Sequence, residues 1–151
     1  MKIAIACDHS GLALKQAILE YLNSRLIEYT DFGTDSSESC DYPLYAEKVC
    51  KAIVNSDFDR GILICATGIG MSITANKFIG IRAAACSDAY SGIFSKRHNN
   101  ANVLCLGARV VGEGLGVLII EGWLNAAYEG GRHQRRLDII SNIENRPLPS
   151  E

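Results

Sequence analysis

Cys65 is followed by Ala66-Thr67-Gly68-Ile69-Gly70-Met71-Ser72, the most reactive combination of residues in the chain. A thiol beside a glycine-containing turn can meet several backbone N–H dipoles, which lower a thiol's pKa and suit it to act as base or nucleophile. The same N–H groups can hold a phosphate, or an oxyanion that develops during a reaction. A strand cysteine is equally at home as a small buried side chain, and the spacing alone leaves both readings open. A dinucleotide fingerprint fits poorly, because Ile73 stands where a third glycine belongs and the turn does not follow the first strand. A Walker A loop is excluded, since no Gly-Lys-Ser/Thr follows.

Three other places carry suitable chemistry. Asp8-His9-Ser10-Gly11 ends the first apolar run. Asp8 or Ser10 there is a good helix N-cap, while His9 offers an imidazole able to donate to a sugar or phosphate oxygen. Lys96-Arg97-His98-Asn99-Asn100 reads as the C-terminal turn and exit of a helix, and His98-Asn99 also supplies an acid–base group and an amide. Arg109 follows Gly107 just past another strand candidate. Arg132 and Arg136 are four apart, so their guanidinium groups share one helical face; that pair suits a phosphate dianion, although a solvated basic face gives the same spacing.

The positioning elements alternate. Short apolar runs at Ile3–Cys7, Ile27–Phe32, Gly61–Cys65, Ile81–Cys86 and Val103–Leu106 read as strands. Between and after them, helical spacing recurs at Leu14/Ile18/Leu22, Tyr45/Val49/Ile53 and Leu115/Ile119/Trp123, with a last helix over about 132–144. Strands that are apolar on both faces must be covered on both sides. The expected fold is α/β: a three-layer α/β/α sandwich, Rossmann-like, with a parallel sheet of about five strands, in one domain spanning 1–151. Ligands in such sheets lie at the carboxyl ends of the strands, where Asp8, Cys65 and Arg109 fall.

Bulk properties exclude several classes. The net charge of −2 offers no global basic field for nucleic acid or an anionic membrane surface. The first apolar run stops at Asp8, too soon for a signal peptide, and no run is long enough for a membrane span, so a cytoplasmic protein is expected. The six cysteines form no C-x-x-C pair, so zinc-ribbon and thioredoxin-like readings lack support and free thiols are expected.

Taken together, Cys-Asp-His at 7–9, Gly33-Thr34, Asp41-Tyr42-Pro43, Gly61–Cys65, Thr67–Gly70, Ala75-Asn76-Lys77, Gly80–Ala83, His98-Asn99, Gly107-Ala108-Arg109 and Tyr128–His133 resemble the B-type ribose 5-phosphate isomerase family, which includes the related galactose 6-phosphate isomerase subunits. The resemblance covers nearly the whole chain. It implies an aldose–ketose isomerase of the pentose phosphate pathway, acting on D-ribose 5-phosphate and D-ribulose 5-phosphate, with a hexose 6-phosphate as the rival substrate. It implies that Cys65 is the base, that the backbone of Ala66, Thr67, Gly68, Ile69 and Gly70 holds the enediolate oxygens, and that His98, helped by Thr67, opens the sugar ring. Asp8 would move a proton between the two oxygens, Tyr42 and Asn99 would line the sugar, and His9, Arg109, Arg132 and Arg136 would surround the phosphate. The resemblance further implies a homodimer, in some members paired into a tetramer, with His98, Asn99 and Arg109 reaching the site from the neighbouring chain. The C-terminal helix and tail would pack on that neighbour. No metal or cofactor is implied. Many members carry glycine where this chain has Ala66, whose N–H remains available if its φ stays negative.

Overall fold

Alternating side chains on three buried strands decide the architecture. On one face of the sheet Ile3, Ile5, Cys7, Ile62, Ile64, Leu104 and Leu106 pack together; on the other, Ala4, Ala6, Leu63, Cys65, Val103 and Cys105 do. Both faces are apolar, so both need helices. The computed structural model describes residues 1–146, and the tail beyond residue 146 lies outside that range. The elements are β1 (Lys2–Cys7), α1 (Leu12–Ser24), β2 (Glu28–Asp31), α2 (Tyr42–Val54), β3 (Arg60–Cys65), α3 (Ile69–Ala75), β4 (Ala83–Ala85), α4 (Ala89–Arg97), β5 (Val103–Gly107), α5 (Glu113–Asn125) and α6 (Arg132–Glu144). The five strands form one parallel sheet in the order β2-β1-β3-β5-β4. The expected Rossmann-like α/β/α arrangement is therefore present.

The helices divide by their apolar stripes. Leu14, Ile18 and Leu22 of α1 and Ile119, Ile120 and Trp123 of α5 cover the first face, each side chain contributing about 1.5–3 kcal/mol by leaving water. Ala46, Val49 and Cys50 of α2 and Met71 and Ala75 of α3 cover the second. Leu115, expected on the buried stripe of α5, is 42% exposed; the stripe is carried by Ile119 and Trp123 instead. Two strands are shorter than their apolar runs, β2 spanning Glu28–Asp31 and β4 Ala83–Ala85.

The chain leaves β1 toward one edge and returns to the other side of β1 as β3, so the switch point falls between those two strands. There the Asp8 amide donates to the Ile64 carbonyl at 3.1 Å, joining the end of β1 to the end of β3. The turns after β3 and β5 also touch directly. A Cβ on Gly107 would stand 2.6 Å from the Thr67 carbonyl carbon, and one on Gly68 would stand 2.9 Å from that of Leu106. Both obstacles are backbone and cannot rotate away. Gly107→Ala should therefore lower stability by about 1–3 kcal/mol, read as a lower urea midpoint, and should lower activity with it.

Candidate active site

At the end of β1, Asp8 is only 5% exposed. Its Oδ1 accepts from the Ser10 amide at 2.9 Å and the Ser10 hydroxyl at 2.6 Å. The capping role expected for Asp8 or Ser10 is not taken up: α1 begins after Gly11 without any side-chain cap. The Asp8 carboxylate is fixed by its own turn, and Oδ2 receives no hydrogen bond from the described residues. A carboxylate oxygen that meets no donor among the described residues is open to a ligand hydroxyl.

His9 is oriented from the β2–α2 loop. The Cys40 amide donates to His9 Nδ1 at 3.2 Å, which places the ring proton on Nε2 as a donor. That loop is braced by Lys15, whose buried ammonium reaches Asp31 at 2.7 Å, Asp35 at 2.9 Å and the Thr34 carbonyl at 2.8 Å. Burial works against the Lys15 charge, but the bonds to Asp31 and Asp35 outweigh it and hold its pKa above the ordinary value. The brace is thus complete at neutral pH; it is lost as pH rises through that raised value, or as pH falls through the Asp35 value that the Lys15 bond itself lowers.

At the end of β3, the Gly68 amide donates to Cys65 Sγ at 3.2 Å. The sulfur thus touches the turn, while the residue as a whole is 5% exposed and packs with the second apolar face of the sheet. Gly68 supplies the left-handed step, with φ 77°. Gly70 serves differently: a Cβ there would lie 2.6 Å from the ring of Tyr42, so its missing side chain is what lets the Tyr42 ring rest on the turn. Ala66 stays outside the left-handed region, as its methyl requires. Thr67 and Gly107 border a cleft of about 270 Å³ that extends to Ala85, Ser87 and Val110. The Arg109 amide donates to the Ala66 carbonyl at 3.0 Å, so this arginine leaves the chain beside its own Cys65 turn.

The other thiols have different surroundings. Burial pushes Cys7 and Cys50 up to about 12 and Cys86 up to about 11, and Cys105 well above the ordinary value. All four stay protonated at neutral pH. Iodoacetamide at about pH 7.5 should accordingly modify Cys65 ahead of those four, and a bound sugar phosphate should slow the reaction. Peptide mass mapping reads this; earlier labelling of the core thiols would contradict the placement of the sulfur.

The remaining candidates gather toward the opposite end of the strands, where they begin. His98 closes α4. Asn100, at φ 46°, turns the chain out of the helix while the Ala101 amide returns to the Ser95 carbonyl at 2.9 Å, so the asparagine exit expected from the sequence is present. The Glu129 amide donates to the Arg97 carbonyl at 3.0 Å, and Gly130 and Gly131, both at positive φ, lead into α6. This brings Arg132, His133 and Arg136 to His98 and Asn99. The His98 and His133 rings stack at 4.1 Å between centroids, 11° from parallel. Gly61 of β3 is paired with Val103, where β5 begins, and Cys65 with Gly107, where it ends. Four residues at ~3.3 Å each put roughly 13 Å of sheet between the His98 end and Cys65. The expected site residues therefore fall into two groups: Asp8, His9, Tyr42, Cys65–Gly70 and Arg109 where the strands end, and His98, Asn99, Arg132 and Arg136 toward the end where they begin.

His98, Glu129 and His133 place three ligand-type atoms within 4.8 Å of one another. A histidine binds metal in the plane of its ring, at about 2.0–2.1 Å. Two near-parallel stacked rings share no such point, so this arrangement is a stacked pair with a carboxylate rather than a preformed metal centre.

Sequence reasoning did not single out Glu129 or His133 for the site, nor the rest of Tyr42 on Gly70. The motif at 128–133 was visible, but its closeness to His98 arises only in the folded chain.

A parallel α/β sandwich with a thiol and a buried carboxylate at its switch point, and a histidine–arginine cluster toward the other end of the strands, defines a sugar-phosphate type of site. The Ribose/Galactose Isomerase family profile matches residues 3–140, and the chain belongs to that family. Ribose-5-phosphate isomerase B of Escherichia coli strain K12 is 53% identical over 145 residues, 96% of this chain and 97% of that protein. Among solved structures, ribose-5-phosphate isomerase B of Clostridium thermocellum superposes with a TM-score of 0.93 at 49% identity, covering 95% of this chain and 97% of that one. Ribose-5-phosphate isomerase B of Mycoplasma genitalium, solved with bound ribulose-5-phosphate, gives a TM-score of 0.91 at 42% identity, covering 97% of each chain.

Proposed function

We propose that this chain interconverts D-ribose 5-phosphate and D-ribulose 5-phosphate through an enediolate. The observation that carries the proposal is Cys65 Sγ, held by the Gly68 amide at 3.2 Å at the end of β3, next to the end of β1, where Asp8 Oδ2 takes no hydrogen bond from the described residues. The M. genitalium relative with bound ribulose-5-phosphate supports the choice of sugar.

The reaction proceeds in two stages. In the furanose the bond from C1 to the ring oxygen breaks, and that oxygen takes a proton from His98. The C1 hydroxyl gives up its proton through Thr67 to water, leaving the open aldehyde. The Cys65 thiolate then removes the C2 proton. The C–H electron pair forms the C1–C2 double bond, and the carbonyl pair moves to O1. The enediolate is held by N–H groups of the Ala66–Gly70 turn, a type of contact that contributes about 2.7–4 kcal/mol per donor when water is excluded. Asp8 carries the O2 proton to O1, and the Cys65 thiol returns its proton to C1, giving the ketose. Tyr42 and Asn99 line the sugar. His9, Arg109, Arg132 and Arg136 bind the phosphate, so that binding energy remote from C1 and C2 positions the open chain. No step calls on a metal or a cofactor.

The two groups at opposite ends of the strands support a homodimer in which His98 and Asn99 act at the neighbour's Cys65; two such dimers can assemble as a tetramer. Within residues 1–146 no helix is long and apolar enough to cross a membrane, and we place the protein in the cytoplasm. The test is deuterium incorporation at C2 of ribose 5-phosphate in D2O, with turnover compared against allose and galactose 6-phosphates. Exchange and pentose preference are expected. Absence of exchange would remove the isomerase reading, and faster hexose turnover would change the substrate.

A further inference from the structure

We infer that Glu129 is a positioning residue that orients the His98 imidazole for its proton donation in ring opening, with His133 as the stacked support. This rests on the isomerase reading above. Glu129 is tied in place twice: its amide donates to the Arg97 carbonyl at 3.0 Å, and Arg97 Nε donates to Oε1 at 2.6 Å. The other carboxylate oxygen, Oε2, then lies 3.5 Å from His98 Nε2 and 3.6 Å from His133 Nε2. The groups facing His98 are this carboxylate, the His133 ring, the Phe94 ring edge-on at 4.7 Å, and Arg97 and Arg132 around them.

Two imidazoles stacked at 4.1 Å fix each other's ring planes, and the two differ in access. His133 is the more enclosed ring. It is 6% exposed, and burial first, then its positive neighbours His98 and Arg132, hold its pKa below the usual imidazole value. His98 is the more open ring, with a third of its side chain exposed. One carboxylate oxygen facing both Nε2 atoms therefore fixes how the two rings are held and leaves His98, the more open one, as the ring able to reach a ligand. Arg97 keeps that carboxylate ionised by bonding directly to it, which pulls the Glu129 pKa down. Tyr128–His133 thus has work of its own, beyond presenting Arg132.

The experiment separates ring opening from proton transfer at carbon. Ribulose 5-phosphate cannot close a five-membered ring, since its O5 carries the phosphate. Exchange of its C1 hydrogen with D2O therefore needs Cys65 and the anion-holding turn but no ring step. In the intact protein, Glu129→Gln should lower net conversion of ribose 5-phosphate about 10- to 100-fold and leave C1 exchange within about threefold. Gln retains an acceptor for Arg97, so the loop is kept. Glu129→Asp, which restores the charge on a shorter arm, should recover most of the net rate. Equal loss of both rates in Glu129→Gln, no loss in either, or failure of Glu129→Asp to recover would overturn the assignment. Neither exchange nor turnover in the unaltered protein would instead remove the isomerase reading itself.

Discussion

Cys65→Ala and His98→Asn variants, each nearly inactive alone, are expected to regain about a quarter of the wild-type activity when co-expressed in equal amounts, as two-fold symmetric dimers with shared sites require. The reasoning is geometric. Cys65 lies where the strands end and His98 toward where they begin, with β5 running from one end to the other. In the proposed dimer a complete site takes its thiol from one chain and its imidazole from the other. In a mixed dimer both lesions fall in one site and the second site is whole. Random pairing makes half of the dimers mixed, and each has one working site of two. If each chain built its own site, mixing would restore nothing. The measurement is specific activity of the co-purified mixture, with the two variants on different affinity tags so that the mixed species can also be isolated. No recovery in the isolated mixed species would contradict the shared site.

The Cys65→Ala variant alone should lose 10²–10⁴-fold or more in kcat, on the scale of removing a positioned general base. Binding of ribulose 5-phosphate should change by no more than about threefold, because the phosphate contacts and the turn persist. Among the described residues Sγ accepts from the Gly68 amide alone, and the left-handed step at Gly68 is locked by its contact with the β5 backbone, so the turn does not depend on the thiol for its shape. Titration calorimetry beside steady-state rates separates the two quantities. A kcat within tenfold of wild type would assign the base to another group.

Much of this could be read before folding was considered. Runs apolar on both faces, such as Ile62–Cys65 and Val103–Leu106, require a parallel sheet covered on both sides, and the ends of those runs locate Asp8, Cys65 and Arg109. The position of β5 between β3 and β4 is not encoded in any local signal, because a crossover helix reads the same whichever neighbour it leads to. Helix α4 shows almost no apolar period. Its buried positions are Gly92 and Ser95, chosen for smallness: a Cβ on Gly92 would lie 2.8 Å from Ile119 of α5. Close packing through small residues leaves no hydrophobic stripe to detect. The roles inferred for Glu129 and His133 were hidden for a related reason. A carboxylate next to two glycines looks like a loop until the C-terminal turn of α4, thirty residues earlier, is brought against it.

The crossing of the β3 and β5 turns has a further consequence. Thr67 meets Gly107, and Gly68 meets Leu106, main chain against main chain, with no side chain interposed. The spacing between the thiol turn and Arg109 is therefore inherited from the ladder of the sheet and is insulated from the choice of core residues. Conservative interior changes, Leu106→Val for instance, should erode the melting temperature and spare the Michaelis constant. Such a scaffold can drift widely in its interior while its chemistry stands still.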